Sequence, residues 1–204
     1  YPVPYAETYR LVLEKQLSAG GTIEELWDVN DVTATDGIID SSTIPEGWTL
    51  NFYGNDQLVV DKGVDNSKAL CMSSDFEEII YPNVNGLYQD AGFTVITPAD
   101  QIGKIGFLWI DGQTASGDWM PIGTLTYGDT EQARIDMNQL EGQDLGMGPV
   151  SFKNNYYSFK ITLYAEGGKA YIDNLSFSAS QKAEYEIVGT YDITEPTITL
   201  NDLD

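Results

Sequence analysis

From Tyr156 to Tyr164 the chain alternates without a break. Tyr157, Phe159, Ile161 and Leu163 hold one parity, and Tyr156, Ser158, Lys160, Thr162 and Tyr164 hold the other. A period of two belongs to an extended strand with one face inward and one toward water. Short apolar stretches of this kind recur along the chain, each cut by Gly, Asn, Asp or Pro. That punctuation predicts an all-β, antiparallel β-sandwich.

Further strands are expected at 48–53, 57–60, 69–73, 92–97, 103–110, 121–127 and 170–178. Asp111-Gly112 and Tyr127-Gly128-Asp129 read as strand ends, and Asn85-Gly86 as a turn. Glu166-Gly167-Gly168-Lys169 reads as a tight turn, because glycine accepts positive φ. Residues 5–17 fit a short helix or an N-terminal strand, and 133–140 one helical turn. The expected organisation is an N-terminal extension (1–22), a sandwich (23–180) and an acidic extension (181–204) that is either one more strand or a linker to flanking modules.

Charge narrows the partners. The 32 acidic and 10 basic residues leave a net charge of -22. Such a field repels phosphate backbones and anionic lipid, so nucleic acid and membrane surfaces are poor partners. No apolar run approaches the roughly 20 residues of a membrane span, so membrane insertion is not expected. Residues 1–5 lack the features of a signal peptide; the segment is then either cytosolic or cut from an exported precursor. The acidity itself serves solubility or holds Ca²⁺. With no histidine, serine–histidine and cysteine–histidine catalysis are excluded. The single cysteine, Cys71, excludes an intrachain disulfide and reads as a small buried hydrophobe. Thirteen tyrosines and four tryptophans stand beside seven phenylalanines. Tyr and Trp pair an apolar face with a polar edge, as a sugar site requires.

Three stretches carry a family likeness: GWTLNFYG (47–54), DKGVDNSKALCM (61–72) and GKAYIDNLSF (168–177). Together they resemble the galactose-binding-like jelly-roll carbohydrate-binding modules of bacterial extracellular enzymes and scaffolds. The resemblance implies a jelly roll, an extracellular or cell-surface location, and a non-catalytic role on a plant polysaccharide such as starch, cellulose or a hemicellulose. A monomer is the default. Asp173 is the misfit in its strand, since a mid-strand carboxylate is costly unless something pairs with it. In the resembling modules a structural Ca²⁺ often takes that aspartate, with Asp28, Asp31 and Asp61 or Asp65 as plausible companions here. The alternative is that Asp173 caps backbone amides at a strand bend.

Other motifs fall away. Asp28-Val29-Asn30-Asp31 starts like an EF-hand loop but has Val32 fifth and Thr33 sixth, where an acidic or amide residue and a glycine are required. Residues 142–149 lack the lysine of a phosphate loop. Glu184-Tyr185-Glu186 is similar to the nucleophile strand of small jelly-roll xylanases, but no second carboxylic acid is legible opposite it.

Candidate sugar contacts are Tyr53, Tyr88, Trp109, Trp119, Tyr127, Tyr156 and Tyr157, with Gln113, Asp118 and Asn154 as hydrogen-bonding neighbours. Trp119 stands out because its surroundings, DGQTASGDWMP, are polar and glycine-rich. Trp109 sits on a strand and reads more readily as core, as do Trp27 and Trp48. Three functions stay open: a carbohydrate-binding module, a structural or adhesion module, and a small glycoside hydrolase.

Overall fold

A computed structural model describes residues 9–164 and 168–193. In chain order its first strands are β1 (Tyr9–Ser18), β2 (Gly21–Trp27), β3 (Ala34–Thr35), β4 (Ile38–Ile39), β5 (Thr49–Asn51), β6 (Leu58–Val59), β7 (Ala69–Met72) and β8 (Glu78–Ile80). Then come β9 (Gly86–Ile96), β10 (Gly106–Gln113), β11 (Trp119–Tyr127), β12 (Gln132–Asp136), β13 (Ser158–Leu163), β14 (Ala170–Gln181) and β15 (Glu184–Ile193). A single helical turn, α1 (Met137–Leu140), follows β12. Residues 166 and 167 of the expected Gly-Gly turn lie outside the described residues, as do 5–8 of the first segment and the chain's last eleven.

The chain divides into two compact units. One holds β1 and β15, an antiparallel ribbon in which Lys15 lies opposite Glu186 and Gln16 opposite Tyr185. Of the alternatives left open for residues 5–17 and 181–204, the described parts take the strand form. The other unit, Thr22–Gln181, is an antiparallel β-sandwich of jelly-roll type. One of its sheets has the order β11-β10-β13-β8-β5; the other runs β12-β9-β14-β7-β6, with β2 also paired to β14.

Alternation decides what lies between the sheets. Phe159, Ile161 and Leu163 of β13 and Leu108 and Ile110 of β10 are buried, and face Leu70, Met72, Phe93 and Ile172 of the other sheet. Each such side chain taken from water contributes roughly 1.5–3 kcal/mol. Trp27 and Trp48 are core, as expected; their rings lie 4.9 Å apart, and Trp48 continues to Tyr81 at 4.4 Å. Cys71 is buried too, and burial pushes its thiol up to about 11.

Two sequence expectations are corrected here. Strict alternation puts Ile172 on the face opposite Leu175 and Phe177, yet all three are buried core residues. A β-bulge explains this: the register with β9 shifts between Asp173 and Ser176, and Asn174 takes φ 49°. The extra residue resets the parity of β14. The second correction concerns Asp111-Gly112, which does not end a strand; β10 runs through it to Gln113. Gly112 is needed because a Cβ there would stand 2.3 Å from the Tyr156 ring.

Candidate functional site

The outer face of the five-stranded sheet is not a plain polar surface. On β10 the residues that alternate with the buried Leu108 and Ile110 are Phe107, Trp109, Asp111 and Gln113. Trp109 is 36% exposed, so it lies on the outside of the sandwich and not in the core. Register sets it opposite Thr162 of β13, and sets Asp111 opposite Lys160. Thr162 in turn lies opposite Glu78 of β8.

Two more rings complete a row. Tyr164 follows β13 and Phe76 precedes β8, and they meet edge to face at 5.6 Å. Tyr164 also meets Trp109 edge to face at 6.4 Å. Phe76 and Tyr164 are 59% and 51% exposed, high values for such large apolar groups. Their backbones are fastened: Phe76 N–H donates to the Leu163 carbonyl, and Tyr164 N–H to that of Phe107, at 2.9 and 3.0 Å. Phe76 holds φ 65°, an uncommon region for a bulky residue. Its turn is pinned by buried Glu77, whose carboxylate accepts from the backbone N–H groups of Tyr53, Gly54, Ser73 and Ser74. The row is therefore built on rigid backbone.

Beside the rings stands a charged group of three. Lys160 Nζ donates to Glu78 Oε1 at 2.9 Å and lies 3.5 Å from Asp111 Oδ2. Asn51 Nδ2 donates to the other Glu78 oxygen at 2.8 Å, and the Trp109 indole N–H donates to Asp111 Oδ1 at 3.2 Å. Burial raises the Asp111 carboxyl above its ordinary pKa, and Lys160 offsets part of that rise. Rings and charges line one open cleft of about 320 Å³ whose walls are Phe76, Glu78, Trp109, Asp111, Pro121, Lys160, Thr162 and Tyr164. Trp119 borders the same charges, since Lys160 Nζ lies 4.9 Å from the centre of its ring. Flat apolar rings next to fixed acceptors are what a ligand with C–H faces and hydroxyl groups requires.

The expected sugar residues divide. Trp109 and Gln113 lie on the same face of β10, and Trp119 pairs with Gln113 at the start of β11. Gln113 accepts from Asn83 Nδ2 and donates to the Gly117 carbonyl, while Asp118 accepts from the Ser116 hydroxyl, so both brace the β10–β11 turn. Tyr53 is exposed in the loop after β5. Asn154, at φ 63°, accepts from Gln89.

Two of the expected tyrosines, Tyr88 and Tyr127, are core residues and are withdrawn as ligand contacts, while Tyr156 is half-buried. Tyr88 is buried, stacks on Phe177 at 5.1 Å and donates to the Pro82 carbonyl. Tyr127 is buried at the end of β11. Tyr156 packs on Phe152 and the core beneath Gly112. Sequence reasoning passed over Phe76, Tyr164, Glu78 and Lys160. Lys160 and Tyr164 were legible as members of the water-facing parity of β13. Phe76, in a turn, gave no periodic signal.

Two of the residues considered for Ca²⁺, Asp173 and Asp28, accept hydrogen bonds from within the chain. Asp173 is buried and its carboxylate already accepts three hydrogen bonds: Val64 N–H at 2.9 Å and Ser67 Oγ at 2.7 Å on one oxygen, Asn174 N–H at 2.7 Å on the other. Asp28 accepts from the Asn30 backbone and side chain. Asp61 and Asp65 take left-handed conformations in the loop that Asp173 secures. Among the described residues, no three acidic or cysteine side chains converge as a metal-ligand set. Near the Asp28 loop, Lys68 Nζ donates to the carbonyls of Asn30 and Val32, both at 2.7 Å.

No protein-family model matches the chain, and no curated protein matches it. Some solved structures are similar. The K3 cleaved adhesin domain of the Lys-gingipain of Porphyromonas gingivalis has 8% identity, covers 81% of this chain and 99% of its own, and gives a TM-score of 0.47. A xylan-binding domain of carbohydrate-binding module family 22 has 11% identity, covers 66% of this chain and 86% of its own, and gives 0.41. A family 32 module of AlyQ, in complex with 4,5-unsaturated mannuronic acid, has 8% identity, covers 65% and 93%, and gives 0.42.

Proposed function

We propose that this chain is a non-catalytic carbohydrate-binding module that acts outside the cell and grips a plant polysaccharide on the outer face of its five-stranded sheet. The observation that carries this reading is the row Phe76–Tyr164–Trp109, exposed and edge to face beside the Glu78–Lys160–Asp111 group. Sugar rings would lie with their C–H faces on the aromatic row, while hydroxyls donate to the carboxylates. The surface is preformed, which keeps the ordering cost of binding low.

The non-catalytic part rests on the same charges. Glu78 and Asp111 are both bonded to one ammonium and each to a second donor, Asn51 or Trp109. Hydrolysis of a glycosidic bond needs two carboxyls free to act on either side of that bond. Glu184 stands in the ribbon opposite Ser18, with Glu186 opposite Lys15.

The test is retention on insoluble and gelled polysaccharides, with reducing-sugar release measured in parallel. Binding to a glucan or xylan that Trp109→Ala weakens, with no sugar released, is the expected result. No retention on any polysaccharide would overturn the reading, and release of reducing ends would replace it with a hydrolase.

A further inference from the structure

The charges in the cleft say more than that a sugar binds. Resting on the proposed function, we infer that this site takes neutral glycans and turns away uronate-containing ones. Among the described residues, Lys160 is the one cation in the cleft wall. Its side chain is 14% exposed, and its ammonium is engaged by Glu78, Asp111 and the Trp119 ring. Two carboxylates against one ammonium leave the cleft with a net negative charge. A sugar carboxylate entering there finds no free cation and two acids.

The acceptor side is open. A carboxylate offers about four lone-pair positions. Glu78 uses positions for Lys160 and Asn51, and Asp111 for Lys160 and Trp109. What remains can accept from hydroxyl groups, which neutral sugars carry in quantity. The recognition chemistry is thus acceptor-rich and poor in free donors, the opposite of a site built for an anion.

The overall charge of -22 also repels polyuronates, so the experiment has to separate the cleft from the whole surface. Affinity electrophoresis through xylan, mixed-linkage glucan, soluble starch, polygalacturonate and alginate does so when run at about 0.15 M and about 1 M salt, where the Debye length falls from roughly 8 to 3 Å. At high salt the distant charges are screened, while the close cleft charges are not. The expected result is retention by a neutral glycan at both salt levels and at least tenfold weaker binding to either polyuronate at both. A Glu78→Gln, Asp111→Asn double variant alters only two of the 32 acidic residues but frees Lys160. It should gain polyuronate retention, at high salt as well as low. Wild-type binding to a polyuronate within tenfold of its best neutral glycan overturns this inference and leaves the sugar-binding function standing. Retention by nothing removes both. The wild-type comparison decides the matter even where the double variant fails to fold.

Discussion

The Lys160 ammonium lies 4.9 Å from the centre of the Trp119 ring, having reached from β13 across β10 to β11. On the way it passes Asp111 of the middle strand. One side chain therefore joins three strands of the sheet that carries the site. It also explains why Trp119, despite its polar, glycine-rich surroundings in sequence, is half-buried: one face of its ring is already in use.

Removing that strut should be costly. Lys160→Met keeps the stem but leaves Glu78 and Asp111 without their shared cation. The loss should be on the order of 2 kcal/mol, between the values for exposed and buried pairs. Urea unfolding followed by tryptophan fluorescence measures it. An unchanged midpoint would show that the three-strand tie contributes nothing.

Trp109 and Tyr88 should separate binding from folding. Trp109→Ala removes an exposed ring, so polysaccharide affinity should fall about tenfold or more, equivalent to about 1.4 kcal/mol, with little change in melting temperature. Tyr88→Ala empties a core position and should cost about 3–5 kcal/mol of stability. Calorimetric melting and binding isotherms on both variants check the contrast.

Asp173 acts as a hydrogen-bond hub. Asp173→Ala strands the Val64 and Asn174 N–H groups and the Ser67 hydroxyl, at about 1–3 kcal/mol for each buried group left unpaired. Chelator treatment of the wild type should leave its melting curve unmoved. A chelator-induced drop would restore the metal to that site.

Tyr127 offers a gain. Its hydroxyl is buried with no hydrogen-bond partner among the described residues, and burial pushes its pKa up to about 12. Tyr127→Phe removes the unmet polar atom and should raise stability by up to about 1 kcal/mol. Thermal denaturation at neutral pH reads this directly.

Asp90 supplies a pH dependence. Its carboxyl pKa is raised, chiefly by burial and against the pull of the Asn138 and Ala91 N–H groups. A carboxyl raised in the folded state contributes stability below its unfolded pKa, and that contribution is lost as pH rises through the folded value. Asp90→Asn keeps the Oδ1 acceptor that both N–H groups use. The melting temperature of the variant relative to wild type should therefore climb between about pH 3 and pH 7. A difference that stays flat or falls would contradict the raised value.

The sandwich was legible because burial writes a period of two into strands such as β13. The same signal, taken at its polar parity, holds Lys160, Thr162 and Tyr164, three of the eight residues of the cleft wall. It misled at β14, where one bulged residue reverses parity and nothing in the letters DN announces it. Trp109 stands among the candidate contacts yet reads more readily as core, because a tryptophan on a strand is usually inward; the alternation of β10 in its register with β13 fixes its direction. Tyr88 and Tyr127 read as ligand contacts in the sequence because composition counts rings without placing them. Phe76 depends on a turn held by Glu77 through four backbone donors drawn from two segments, a long-range arrangement that no local pattern encodes.

Lys68 has a consequence of its own. An ion held by two loop carbonyls has an affinity, and it departs when the surrounding solution is dilute enough. The ammonium that reaches the Asn30 and Val32 carbonyls is covalently part of the chain, so its local concentration is set by the length of its own tether. The loop it fastens should be equally firm in brackish, fresh or chelating surroundings.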